Sequence, residues 1–377
     1  MNRLPVLLMI LFLAACGSKN EETKPNELIK VDEIGKVNVL WKSKLKAAEK
    51  AFGYKLIPAE NNGNLYVASQ SGEVVSLNAK TGANNWKVNL ESEISAGPGV
   101  GDTLLVLGGP EGQVIALDID TGTVLWETRV TSEVLSPPVI DRNKVVVRTQ
   151  DGRIYGFSIQ NGERDWVFDT NIPNLTLRGN STPIAKGGRV YIGFDNGKVA
   201  ALNILDGSVL WQQNVINSQG KTEIDRIADI DGDIDVVATD LYLSSAADKT
   251  LSVATESGRV LWSQNIGSVT GVTVSRRSLY LTDNQSIIHE LNRMDGSRGW
   301  TQDTLLNRNL TKPSYYLGDL LVGDLEGYVH VINGVSGEVI NRIKTGGEQL
   351  YHAPLVVGDI FYTYNYDGQI TAMRFNK

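Results

Sequence analysis

The sequence predicts an all-β protein: an eight-bladed β-propeller of four-stranded antiparallel blades, with the N- and C-terminal strands closing one blade. Three observations predict it. All seven tryptophans (Trp41, Trp86, Trp126, Trp166, Trp211, Trp262, Trp300) fall in one series with spacings of 45, 40, 40, 45, 51 and 38 residues. A common sequence frame surrounds them, and turn residues punctuate that frame at fixed offsets. A repeat of this length marks an array of like units rather than a pair of unrelated domains.

The frame is clearest over 112–126, GQVIALDIDTGTVLW. It recurs over 72–86 (GEVVSLNAKTGANNW), 152–166 (GRIYGFSIQNGERDW) and 197–211 (GKVAALNILDGSVLW). Worn copies stand at 258–262 and 296–300, and the copy over 327–341 carries Asn341 where a tryptophan is expected. In the fourth copy, 189–194 reads as a mostly apolar strand and Asp195-Asn196-Gly197 as a hairpin turn. Residues 198–204 form the next strand, Asp206-Gly207 a second turn, and 208–215 the last strand. Asp-Gly and Asn-Gly pairs suit tight hairpins because these residues tolerate positive φ. Small-residue segments at 95–100, 136–140, 181–185 and 352–356 read as innermost strands, where blades crowd the axis. Tryptophan then sits on the outermost strand and fills the gap to the neighbouring blade.

Seven tryptophan frames and the Asn341 frame make eight outer strands; a seven-bladed ring is the rival count. The last segment, 351–377, supplies three strands, and 37–42 with Trp41 supplies the missing fourth. Closing the ring between the two chain ends removes sheet edges that invite aggregation.

The N-terminus is read separately. Arg3 precedes an apolar run over 4–13 that is too short for a bilayer core, which needs roughly 20 residues. It fits a secretory signal peptide over 1–15. Leu13-Ala14-Ala15-Cys16 has the pattern of a lipobox, and Cys16 is the only cysteine, so no disulfide can form within one chain. Acylation of Cys16, palmitate included, is the expectation, and Gly17 in place of an aspartate favours the outer membrane. Residues 16–35 read as the lipidated N-terminus and a flexible tether, and 36–377 as the propeller. Removing 1–15 takes away Arg3 and shifts the net charge from −7 to −8. That balance argues against nucleic acid, which calls for a basic surface.

Catalytic chemistry is hard to find. His289, His330 and His352 lie in different blades without metal-ligand spacing, and no phosphate loop or nucleophile elbow is present. No cofactor, metal or catalytic residue is expected. Two insertions stand out instead. Connections lengthen between Trp166 and Ser181 and again between Trp211 and Leu241, so both flank the fourth blade on one face. The first places Leu175, Leu177 and Arg178 in a surface loop, a combination suited to a protein–protein hot spot. The second, over 221–235, is rich in aspartate but lacks a calcium loop's pattern, with Ile234 and Asp240 at the glycine and glutamate positions. It reads as a solvated acidic loop or an acidic docking surface.

The Ala-Leu-Asp-x-x-Thr-Gly-x-x-x-Trp frame resembles the blades of pyrroloquinoline-quinone dehydrogenases, and such a quinoprotein is the alternative reading. Those enzymes are longer and use a vicinal disulfide, for which a single cysteine does not suffice. A glycan-binding propeller is a third class, which wants exposed aromatics. The whole chain looks more like the BamB family, lipoproteins of the outer-membrane β-barrel assembly machinery. The resemblance rests on LTLRG over 175–179, TEIDR over 222–226 with Asp229-Ile230-Asp231 after it, Trp300, and GDLEGYVH over 323–330. It implies a non-enzymatic scaffold on the periplasmic face of the outer membrane. It also implies contact with the POTRA domains of BamA through the matching positions Leu175, Leu177, Arg178, Asp229 and Asp231, with unfolded outer-membrane proteins as possible clients. Asp233-Ile234-Asp235 fits the family pattern poorly.

Overall fold

The computed structural model describes residues 24–46, 54–170, 181–216, 229–247, 249–350 and 352–377. Their strands form eight sheets arranged as a ring. Blades one to seven span 59–89, 96–129, 139–168, 184–214, 235–264, 272–302 and 314–344. In blade four, Ile184–Lys186, Arg189–Gly193, Lys198–Asn203 and Val209–Asn214 follow one another from the axis outward. Blade eight joins Leu355–Val357, Ile360–Tyr364 and Gln369–Asn376 to the N-terminal strand Lys36–Lys44. That last pairing runs in register from Lys36 with Asn376 to Lys44 with Gln369. The ring therefore closes as the sequence predicts, with eight blades.

The innermost strands start later than expected in three blades: Val139–Asp141, Ile184–Lys186 and Leu355–Val357. The segments before them contain Pro138, Pro183 and Pro354. Proline has no N–H to give to a ladder, so regular pairing begins only beyond it.

The core is divided among the spaces between blades. Val146, Ile154 and Trp166 of blade three pack with Val190, Ile192, Ala200 and Leu202 of blade four. Alternate residues of a middle strand face opposite neighbours, so both sets must be apolar for the blade to be buried on two sides.

One joint repeats around the ring. In all eight blades the pairing of the outer strand slips close to the tryptophan position, as between Val124 and Trp126. Such a bulge bends the strand and re-aims the side chain. The indole N–H then donates to a carbonyl of the next blade's outer hairpin, Trp86 to Ile119 and Trp126 to Ile159, both at 3.0 Å. The ring lies on that hairpin's glycine: a Cβ added to Gly207, at φ +70°, would sit 2.5 Å from Trp166. Glycine meets both demands there, a positive φ and no side chain beneath the indole.

Asn341 departs from the series for a geometric reason. Its outer strand faces blade eight, where the chain termini stand in place of the outer hairpin. The Asn341 amide donates instead to the Gly35 carbonyl at 3.1 Å. Residues 24–35, expected to belong to a flexible tether, carry no strand but are hydrogen-bonded to blades six and seven.

Candidate functional site

Leu175, Leu177 and Arg178, like Cys16, lie outside the described residues. The residues that flank the two insertions are described, and they converge. Arg148 ends the second strand of blade three and is 1 % exposed. One guanidinium nitrogen donates to the carbonyl and hydroxyl of Ser181, at 3.2 and 2.9 Å, and to the Gly193 carbonyl at 2.8 Å. The other donates to Asp195 at 2.6 Å. Ser181 is the residue with which the chain leaves the first insertion, and Asp195 opens the middle turn of blade four.

The end of the second insertion joins the same place. The amide of Ile230 donates to Phe194 O at 3.4 Å, and that of Ala246 to Asp229 O at 3.1 Å. Asp229 and Asp231 are buried, at 0 % and 6 % exposure. The expectation of a solvated acidic surface is therefore not met at these two positions. Composition suggested water; the fold instead sets them against blades four and five.

Asp195 and Asp231 then draw on the same guanidinium, and Lys55 also acts on Asp231. Burial raises Asp195 above the usual carboxylate range, although Arg148 pulls it back. Burial, then Asp195 and Asp229, push Asp231 up to about 8. At neutral pH Asp231 is therefore held largely protonated, since like charges in a poorly hydrated space cannot all ionise. Among the described residues, the Asp231 Oδ1 and Asp195 Oδ2 atoms have no hydrogen-bond partner.

A second cluster occupies the axis, around a cavity of about 910 Å³. The segment Lys55–Leu56 adds a parallel strand to the inner edge of blade two, opposite Ala96 and Gly97. From there Lys55 reaches Asp233 at 3.2 Å, and Lys312 reaches the other Asp233 oxygen at 3.0 Å. The Thr182 hydroxyl donates to Asp233 at 3.2 Å. Burial works against the Asp233 carboxylate, but Lys312 and Lys55 outweigh it and hold the group well below its ordinary range. His352 beside it is driven down to about 4, by burial first and by Lys55 second. Asp233 also bridges Gly271, just ahead of blade six, and Asp235–Val237 is the innermost strand of blade five. The tail of the second insertion is thus part of the ring.

His289 pairs with Asp283 and His330 with Asp324, each at 2.9 Å, so with axial His352 the three histidines serve separate blades. Among the described residues, no group of three His, Cys, Asp or Glu side chains is placed to hold a metal ion. Sequence reasoning missed Arg148, Lys55, Asp233 and Lys312. Asp233 stands 178 residues from Lys55 and 79 from Lys312, and no local motif encodes a contact of that separation.

The closed ring and its indole-on-glycine joints define the class: an eight-bladed β-propeller with its longest connections on one face. The family described as outer membrane protein assembly factor BamB matches residues 30–96 and 78–302. The BamB of Alkalilimnicola ehrlichii is 41 % identical over 371 residues, 98 % of this chain and 96 % of that protein. That of Pseudomonas aeruginosa is 40 % identical over 368 residues, 97 % of each. The crystal structure of BamB from Moraxella catarrhalis superposes with a TM-score of 0.83 at 30 % identity, covering 90 % of this chain and all of that one. The chain belongs to the BamB family. A quinohemoprotein alcohol dehydrogenase from Comamonas testosteroni has a TM-score of 0.68 at 11 % identity, covering 90 % of this chain and 76 % of that one; this likeness shows the fold alone.

Proposed function

We propose that this chain is a lipid-anchored, non-enzymatic assembly factor for outer-membrane proteins that works by holding the periplasmic POTRA domains of BamA. Acylation of Cys16 after removal of 1–15 places it on the periplasmic face of the outer membrane. Leu175 and Leu177 supply apolar contact and Arg178 charge pairing, on the hot-spot logic of buried aliphatics beside a cation. Asp229 and Asp231 add acidic positions to the same docking site, although both are buried. Unfolded outer-membrane proteins are the clients delivered to the assembled site.

The observation that carries the reading, beside family membership, is the Arg148–Asp195 cluster at which the flanks of both insertions meet. Loops on a rigid scaffold are the usual carriers of binding residues, and two loops rooted together make one surface. The test is co-purification of BamA with the Arg178→Glu variant from membranes. Loss of BamA with an unchanged melting profile supports the assignment. Recovery at the wild-type level contradicts it.

A further inference from the structure

The segment 24–35 is held at both ends and in its middle. The Asn26 amide donates to Leu306 O at 3.0 Å, and Arg308 donates to Asn26 O at 2.9 Å. Arg308 is 3 % exposed and is itself fixed by Asp324 at 2.8 Å. Arg342 donates to Ile29 O at 3.0 Å, and the Ile34 amide to Ile340 O at 2.8 Å. Leu28 packs against the buried cluster of Leu305, Leu310 and Leu320. The contacts follow the outer strand of blade seven, Val339–Lys344, in the opposite chain direction, so the segment covers an outer sheet edge.

Its place of departure matters most. Leu306 and Arg308 lie in the connection from the outer strand of blade six to blade seven. Strands alternate in direction, so every connection of this kind lies on one face, and both insertions do too. From Lys24 back to Cys16 there are eight residue steps. Even fully extended these span at most about 26–29 Å, whereas the twenty steps from Lys36 would reach about 66–72 Å.

We infer that residues 24–35 are a strap rather than a free leash, and that the strap holds the insertion-bearing face, on the side of blades six and seven, close against the lipid surface. The inference rests on acylation of Cys16, as proposed above. The lipid-facing sector lies two to three blades round from the insertions at blade four, on the same face. A partner seated on the insertions is therefore engaged within the layer of periplasm next to the membrane.

The experiment uses the acylated chain bound to vesicles of phosphatidylethanolamine and phosphatidylglycerol, with a quencher on the lipid headgroups. A fluorophore is placed by Asn284→Cys, at an exposed middle turn of blade six, or by Val335→Cys, at an outer turn of blade seven that is 88 % exposed and lies on the opposite face. The native cysteine is acylated and does not take the dye. Quenching at position 284 should exceed that at 335 several-fold. The Asn26→Pro/Ile34→Pro double variant removes two main-chain donors at exposed positions and should bring the two values together. Amide exchange on an unacylated chain gives an independent reading, with the Asn26 and Ile34 amides protected in the wild type. Equal quenching of bound wild-type protein, or unprotected amides at 26 and 34, overturns the strap and leaves the anchor standing. Failure of the chain to bind vesicles at all overturns the acylation, and the inference with it.

Discussion

The joint between blades three and four and the joint between blades seven and eight are built from the same strands but bonded differently. At the first, Trp166 donates to Ile204 O at 3.0 Å and covers Gly207, while the buried Arg148–Asp195 pair crosses at 2.6 Å. At the second there is no tryptophan. Asn341 meets Gly35, the Tyr316 hydroxyl donates to Asp359 O at 2.8 Å, and Lys377 pairs with Asp319 at 2.7 Å. The indole is thus a response to the hairpin it covers and not a requirement of the blade that carries it. Where the chain ends replace that hairpin, dispersed polar contacts replace the indole. Charge is buried deeply at the joint that roots the insertions, which points to a role beyond ring closure.

Substitutions should separate the two joints. Arg148→Ala leaves Asp195 buried and uncompensated, and breaking such a pair from one side costs about 3–5 kcal/mol in urea unfolding. Trp166→Ala, which empties a site only 8 % exposed, should cost a similar ~3–5 kcal/mol. Asn341→Ala removes one neutral hydrogen bond and should cost about 0.5–1.5 kcal/mol. If Asn341→Ala proves as damaging as Trp166→Ala, the distinction between the joints fails.

The cluster beside the first joint also carries a pH dependence. Burial and its acidic neighbours push Asp231 up to about 8 when folded, against an ordinary value of 3.8. A raised pKa means that the native state keeps a proton the unfolded chain gives up. The resulting stability is fully present below about pH 4 and is lost as pH rises through about 8. Thermal midpoints at pH 5 and pH 8 should therefore differ more in the wild type than in Asp231→Asn. Identical slopes would place the charge balance of the cluster elsewhere.

The ring was legible in the sequence because its joints are local: a tryptophan and a turn glycine recur at a period set by four strands. Even Asn341, which breaks the pattern, falls in the right frame. The innermost strands were misplaced by a few residues in three blades, since small residues suggested the axis but their prolines delay pairing. The aspartates at the end of the second insertion were harder still. Asp229, Asp231 and Asp233 look alike in the chain, yet Asp229 and Asp231 are buried, Asp231 within reach of Arg148, and the third is clamped by Lys55 and Lys312. What separates them is which distant blade supplies a cation, and composition holds no record of that.

The most direct test of the central claim is the affinity of purified BamA POTRA domains for the Arg148→Met and Asn341→Ala variants, measured by calorimetric titration on chains shown to be folded. Arg148→Met unroots the insertions and should weaken binding by roughly ten-fold or more, ~1.4 kcal/mol, while Asn341→Ala should bind as the wild type does. Undiminished binding by a folded Arg148→Met chain would contradict a docking surface organised from the blade three–four joint.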